Sequence, residues 1–163
     1  PDLGPNALLL IRDLAQSAGK DGMVSGQMLD IAAETATTPL TLAEITRLQA
    51  RKTGCLIAWS ATSGAVLAGA DSAPLRQYAT ALGLAFQIAD DILDVEGDAD
   101  KMGKALRKDS EAGKATFVSL LGLQAAKHRA LDLCDAACSA LAPYGDEAET
   151  LKEAARFVIA RDS

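Results

Sequence analysis

The sequence predicts an all-α protein, and three observations support this. Hydrophobic residues make up 49% of the chain but aromatics only 4%. Ala, Leu, Gly and Asp are plentiful and β-branched runs are few, a composition suited to helices packed through small side chains. Apolar residues also recur at spacings of three and four through most segments. With 163 residues, of which 23% are charged, the chain is long enough for one compact domain with its own core.

The first helix is predicted over 5–18. Pro5 suits a first helical turn, "NALLLIRDLAQSAG" carries apolar residues at helical spacing, and Gly19 closes it. In "DGMVSGQMLDIAAETA", Gln27 and Asp30 share a face if the segment is helical, so polar groups with metal or phosphate affinity can meet there. Thr41 and Glu44 stand in capping-box spacing, which starts a helix near residue 42. That helix runs to Gly54, where a bend is expected with Lys52 and Thr53 beside it, and a small-residue helix then ends by Gly69. A further helix extends from Pro74 to Gly97. "DADKMGKALRKDSEAGKA" is polar and glycine-punctuated, as loops are. The last helices are predicted over 116–142, interrupted at Gly122, and over 146–161, with "APYGD" between them. Neither an internal repeat nor a second domain is discernible.

A net charge of −6 and a pI near 4.7, with no basic stripe interleaved with aromatics, exclude nucleic acid and acidic membrane surfaces as expected partners. Stretches such as "CLIAW" and "GAVLAGA" are far too short to span a bilayer, and no basic region precedes an apolar one at the N-terminus. The expectation is a cytoplasmic protein. Cys134 and Cys138 lie at i, i+4, and the single histidine, His128, is not spaced to join them around zinc, so both read as small thiols of a helix core. The opening "PDLGPNALLL" has no methionine, and a processed or truncated chain is expected.

The segment "QIADDILDV", residues 87–95, sets Asp90, Asp91 and Asp94 among Phe86, Ile88, Ala89, Ile92 and Leu93. On a helix, Asp90 and Asp94 share a face, with Phe86 and Gln87 one turn before Asp90. Clustered carboxylates beside apolar faces raise one another's pKa unless a cation intervenes. Oxygen-only ligands with no His or Cys nearby favour Mg²⁺, which completes its shell with water and substrate phosphates. Gly103-Lys104 and Gly113-Lys114 bracket a loop able to fold over phosphate oxygens. Neither fits a P-loop: Lys108 stands where the first glycine belongs, and Ala115 where Ser or Thr belongs.

"GMVSGQMLD" at 22–30, "KTGCLI" at 52–57, "GLAFQIADDILDVEGD" at 83–98 and "GKALRKDSEAGKAT" at 103–116 together resemble the polyprenyl synthetase family, the trans-prenyl diphosphate synthases, and its bacterial farnesyl diphosphate synthases most closely. The resemblance implies a helical bundle of the isoprenoid synthase type. It also implies Mg²⁺-dependent condensation of an allylic diphosphate with isopentenyl diphosphate, in a homodimer. By the same resemblance Asp90, Asp91 and Asp94 are metal ligands of the second aspartate-rich motif, with Asp109 near the metal. Lys52, Lys104 and Lys114 contact phosphates, and Gln27, Asp30 and Phe86 are substrate-binding positions. Thr53 and Gln87, with the Lys52 carbonyl, stabilise the carbocation.

The first aspartate-rich motif and the residues that bind isopentenyl diphosphate do not occur in this sequence. Residues 1–163 therefore read as the C-terminal portion of one such domain, an incomplete half lacking the upstream helices and expected to be inactive alone. Ser25 and Arg107 also stand where the family commonly has glycine. Two other readings stay open: a non-catalytic helical subunit that docks on a partner, and a terpene cyclase of the same fold, for which "DDILD" replaces the usual Asn/Ser/Glu metal motif.

Overall fold

The computed structural model of the protein describes residues 4, 6–101 and 115–161, with backbone only for 98–101. The described elements are helical, without a strand among them, as predicted: α1 (Ala7–Ala18), α2 (Met23–Glu34), α3 (Leu42–Gln49), a π-turn (Ala50–Gly54), α4 (Cys55–Ala68), α5 (Ala73–Lys101), α6 (Phe117–Leu121), α7 (Leu123–Ala140), a 3₁₀ segment (Ala142–Ala148) and α8 (Glu149–Ala160). Among the described residues, no helix is long and apolar enough to cross a membrane.

Several boundaries follow from local chemistry. Helix α3 starts where the capping box predicts: Glu44 N–H donates to Thr41 Oγ1, and Glu44 Oε2 accepts from Thr41 N–H at 2.8 Å. Gly69 ends α4 with φ +65°, a left-handed conformation suited to glycine. Gly122, at φ +83°, separates α6 from α7 at the predicted interruption, and Gly145, at φ +57°, breaks the 3₁₀ segment.

Three expectations change. Helix α1 begins at Ala7, with Pro5 outside the described residues. No bend occurs at Gly54, whose φ of −62° and ψ of −36° are ordinary helical values; instead the chain stays helical from 42 to 68 and takes up the irregularity as a π-turn holding Lys52 and Thr53. Helix α5 passes through Gly97 to Lys101, because one glycine costs a helix only about 1 kcal/mol. It is 29 residues long, which at the α-helical rise is roughly 43 Å.

The interior forms two connected clusters on one side of α5. In the first, Ile45, Ala85, Ile88, Ile92, Phe117, Ala126, Ala130 and Leu133 join α3, α5, α6 and α7. In the second, Tyr78, Ala79, Cys134, Ala137, Leu141, Ala148 and Ala155 join α5, α7, the 3₁₀ segment and α8. Alanines at 85, 126, 130 and 137 let α5 and α7 approach closely, as the composition foretells. Burial of a side chain such as Ile88 contributes about 1.5–3 kcal/mol. With this core on one side, α5 leaves its polar face at 87, 90 and 94 to the opposite side.

Candidate functional site

The site is built on α2, the π-turn, α5 and the residue after α8. Gly26 brings α2 against the π-turn so closely that a Cβ there would lie 2.1 Å from the Lys52 nitrogen and 2.4 Å from its Cα. Ser25, at the neighbouring glycine-like position, accepts from Arg51 Nη1 at 2.9 Å and donates to the Gly22 carbonyl, so it fastens α2 to the same turn. Gly83 of α5 faces Gly54, whose Cα would lie an ordinary 3.5 Å from an added Cβ. These two contacts fix the π-turn between α2 and α5.

Within this frame, the Lys52 ammonium donates to Asp30 Oδ2. Asp30 is only 5% exposed, whereas the Lys52 side chain is one-third exposed, so the ammonium links a buried carboxylate to the open side. Gln27, one turn earlier on α2, is exposed, so the predicted pair is divided, with Asp30 facing inward and Gln27 outward. A cleft of about 200 Å³ beside Asp30 is walled by Ala33, Leu40, Ile45, Leu48 and Gln49. Thr53 is half-buried in the π-turn. Such turns use i→i+5 hydrogen bonds, which shifts the carbonyls out of the α-helical pattern.

On α5, the three aspartates differ in partner and exposure. Asp91 points towards the start of α6, where its Oδ2 accepts the Phe117 N–H at 2.6 Å and supports a helix N-terminus. Asp90 is half-buried and its Oδ1 accepts from Arg161 Nη2, while Asp94 is exposed. Phe86 lies beneath the same arginine, with Cζ 4.3 Å from the ring centroid. Gln87, one turn before Asp90 and half-buried, extends the face towards Gly83 and the π-turn.

Among the described residues, no group of three or more His, Cys, Asp and Glu side chains could hold a metal ion by itself. Asp90 and Asp94, one helical turn apart, nevertheless fit the way Mg²⁺ binds, through one or two carboxylates with the remaining positions filled by water and substrate phosphates. Lys104, Asp109 and Lys114, together with Arg107, lie outside the described residues. Arg161 was not predicted from sequence. It stands 71 positions from Asp90, and an arginine after an amphipathic helix carries no spacing signal.

Comparisons with known proteins identify the relatives of the chain. The polyprenyl synthetase family profile matches residues 9–154. The farnesyl diphosphate synthase of Geobacillus stearothermophilus is 40% identical over 158 residues, covering 95% of this chain and 52% of that protein. The apo structure of an FPP/GFPP synthase from Zymomonas mobilis superposes with a TM-score of 0.83 at 45% identity, over 94% of this chain and 51% of that one. A Helicobacter pylori geranyltransferase complexed with magnesium and isoprenyl diphosphate gives a TM-score of 0.74 at 32% identity, over 96% and 52% of the two chains. The chain thus spans about half the length of the relatives it matches. On the breadth of the profile match and on these helical relatives, the chain belongs to the polyprenyl synthetase family.

Proposed function

We propose that this chain supplies the second aspartate-rich half of a Mg²⁺-dependent prenyltransferase of the farnesyl diphosphate synthase type. The enzyme joins an allylic diphosphate to isopentenyl diphosphate and works as a cytoplasmic homodimer. The observation that carries the reading is the α5 face, on which Gln87, Asp90 and Asp94 follow one another from the π-turn outward, away from the α7 core. That the similar Helicobacter pylori geranyltransferase was complexed with magnesium and isoprenyl diphosphate supports the Mg²⁺ dependence of the reading.

The residues divide the work by charge. Asp90 and Asp94, with Asp91, would hold the ion, which when bound neutralises the diphosphate as it departs. Asp91, through the Phe117 amide, holds α6 against the motif. Lys52 would meet phosphate oxygens with its ammonium, which Asp30 orients from the buried side. Lys104 and Lys114, with Asp109 near the metal, belong to the same proposal. As the allylic C–O bond breaks, positive charge develops on carbon. Thr53, Gln87 and the Lys52 carbonyl offer oxygen dipoles to that charge before the new carbon–carbon bond forms and a proton is lost. Phe86 and Gln27 contribute to the substrate-binding wall.

The test is product formation by the complete protein that contains this sequence, given geranyl and isopentenyl diphosphates with Mg²⁺. Farnesyl diphosphate is expected, with loss of activity in chelator and a fall of about a hundredfold or more for Asp90→Ala. Absence of any prenyl product from the intact protein would overturn the proposal. Little turnover is expected from the 163-residue chain alone. A second reading, a helical subunit acting by association, is favoured by apolar side chains left in solvent on α1 and α2, including Leu8, Ile11 and Met28. A monodisperse monomer at high concentration would speak against it.

A further inference from the structure

Arg161, directly after α8, reaches across to the aspartate face of α5 and holds it at two points. Its Nη2 donates to Asp90 Oδ1, and its guanidinium carbon lies 4.3 Å from the centre of the Phe86 ring. Its Nε is buried without a hydrogen-bond partner among the described residues. The guanidinium is therefore held with part of its donor set unused, a weaker grip than a fully satisfied arginine has. It also lines a cleft of about 250 Å³ between α5, α7 and α8, where Lys127 pairs separately with Glu96 at 2.5 Å.

We propose that Arg161 is an internal counter-ion that occupies Asp90 in the metal-free protein and gives way when a divalent cation binds there. Metal loading then frees the end of α8 and uncovers the Phe86 ring. This rests on reading Asp90 as a metal ligand. One carboxylate carries one negative charge, and sharing it between a guanidinium and a divalent ion sets like charges a few ångström apart. The Asp90 side chain is 44% exposed, so water and metal can reach it, and the doubly charged ion has the stronger attraction. The arginine thereby keeps the carboxylate facing outward in the absence of metal, at the cost of competing with the metal.

Manganese titration of the complete protein that contains this sequence, followed by the electron paramagnetic resonance of free Mn²⁺, tests this with Arg161→Gln, Asp90→Asn and Lys127→Gln beside the unaltered protein. Circular dichroism establishes that each is folded. Arg161→Gln is expected to bind Mn²⁺ about two- to fivefold more tightly, the effect of releasing a partly exposed ion pair. Lys127→Gln, which removes an equal charge that pairs elsewhere, should not. In the unaltered protein, Mn²⁺ should also speed hydrogen exchange at 157–161, a readout that requires no variant. Equal or weaker binding by Arg161→Gln, an equal gain from Lys127→Gln, or unchanged exchange at 157–161 overturns the proposal. Binding that depends on Asp90 but ignores Arg161 defeats this inference alone. No binding, or binding indifferent to Asp90→Asn, defeats the metal-ligand reading and the inference with it.

Discussion

A buried carboxylate is costly in a helical core unless a cation meets it, and Asp30 is met by Lys52 from the π-turn. Tyr78 illustrates the same cost for a neutral group. Its hydroxyl donates to the Leu151 carbonyl at 2.9 Å and its ring is almost fully buried. Burial pushes the phenol above its ordinary value of 10, with Cys138 and Cys134 adding to the effect. A raised value in the folded state favours the protonated phenol. The associated stability is complete below pH 10 and lost as pH rises through the folded value. Tyr78→Phe is expected to cost about 1 kcal/mol at pH 7. Urea unfolding above pH 10 should then show a smaller further loss for the variant than for the unaltered chain. Parallel declines would show that Tyr78 ionisation is not linked to folding.

At the scale of the elements, the π-turn depends on its neighbours. Sequence signals an irregularity near Gly54, but Gly54 is helical, and the residue that matters is Gly26 on another helix. With 2.1 Å between an added Cβ and the Lys52 nitrogen, α2 must move away or the turn must rewind. Gly26→Ala is accordingly expected to destabilise the protein by about 1–3 kcal/mol, the usual cost of overpacking, despite the higher helix propensity of alanine. Chemical denaturation measures it, and a neutral or stabilising result would show that α2 does not press on the turn in solution. Gly64, mid-helix with open space around it, provides the opposite case, where alanine meets nothing.

For the whole molecule, the arrangement leaves apolar side chains of two adjacent helices in water: Leu8 at 77% exposure, Ile11 at 62% and Met28 at 61%. Such a surface is expected to bind the dye ANS under native conditions. Replacing Leu8 and Ile11 with serine should reduce the fluorescence without lowering the urea midpoint, since neither side chain contributes much burial. Native protein that does not enhance ANS fluorescence would mean that the face is covered in solution.

The all-helical class, the capping box at Thr41 and Glu44, the stops at Gly69 and Gly122, and the gathering of three aspartates in "FQIADDILD" were legible in the sequence. Each depends on groups within a few residues of one another, where backbone hydrogen bonding and helical spacing act directly. Tertiary structure decided the rest: that Asp91 supports α6, that Asp30 and Gln27 part company, that a π-turn stands where a bend was expected, and that Arg161 reaches Asp90. Those outcomes join positions about 20 to 70 residues apart. Their energies come from close approach and paired charge between elements, which no local pattern encodes.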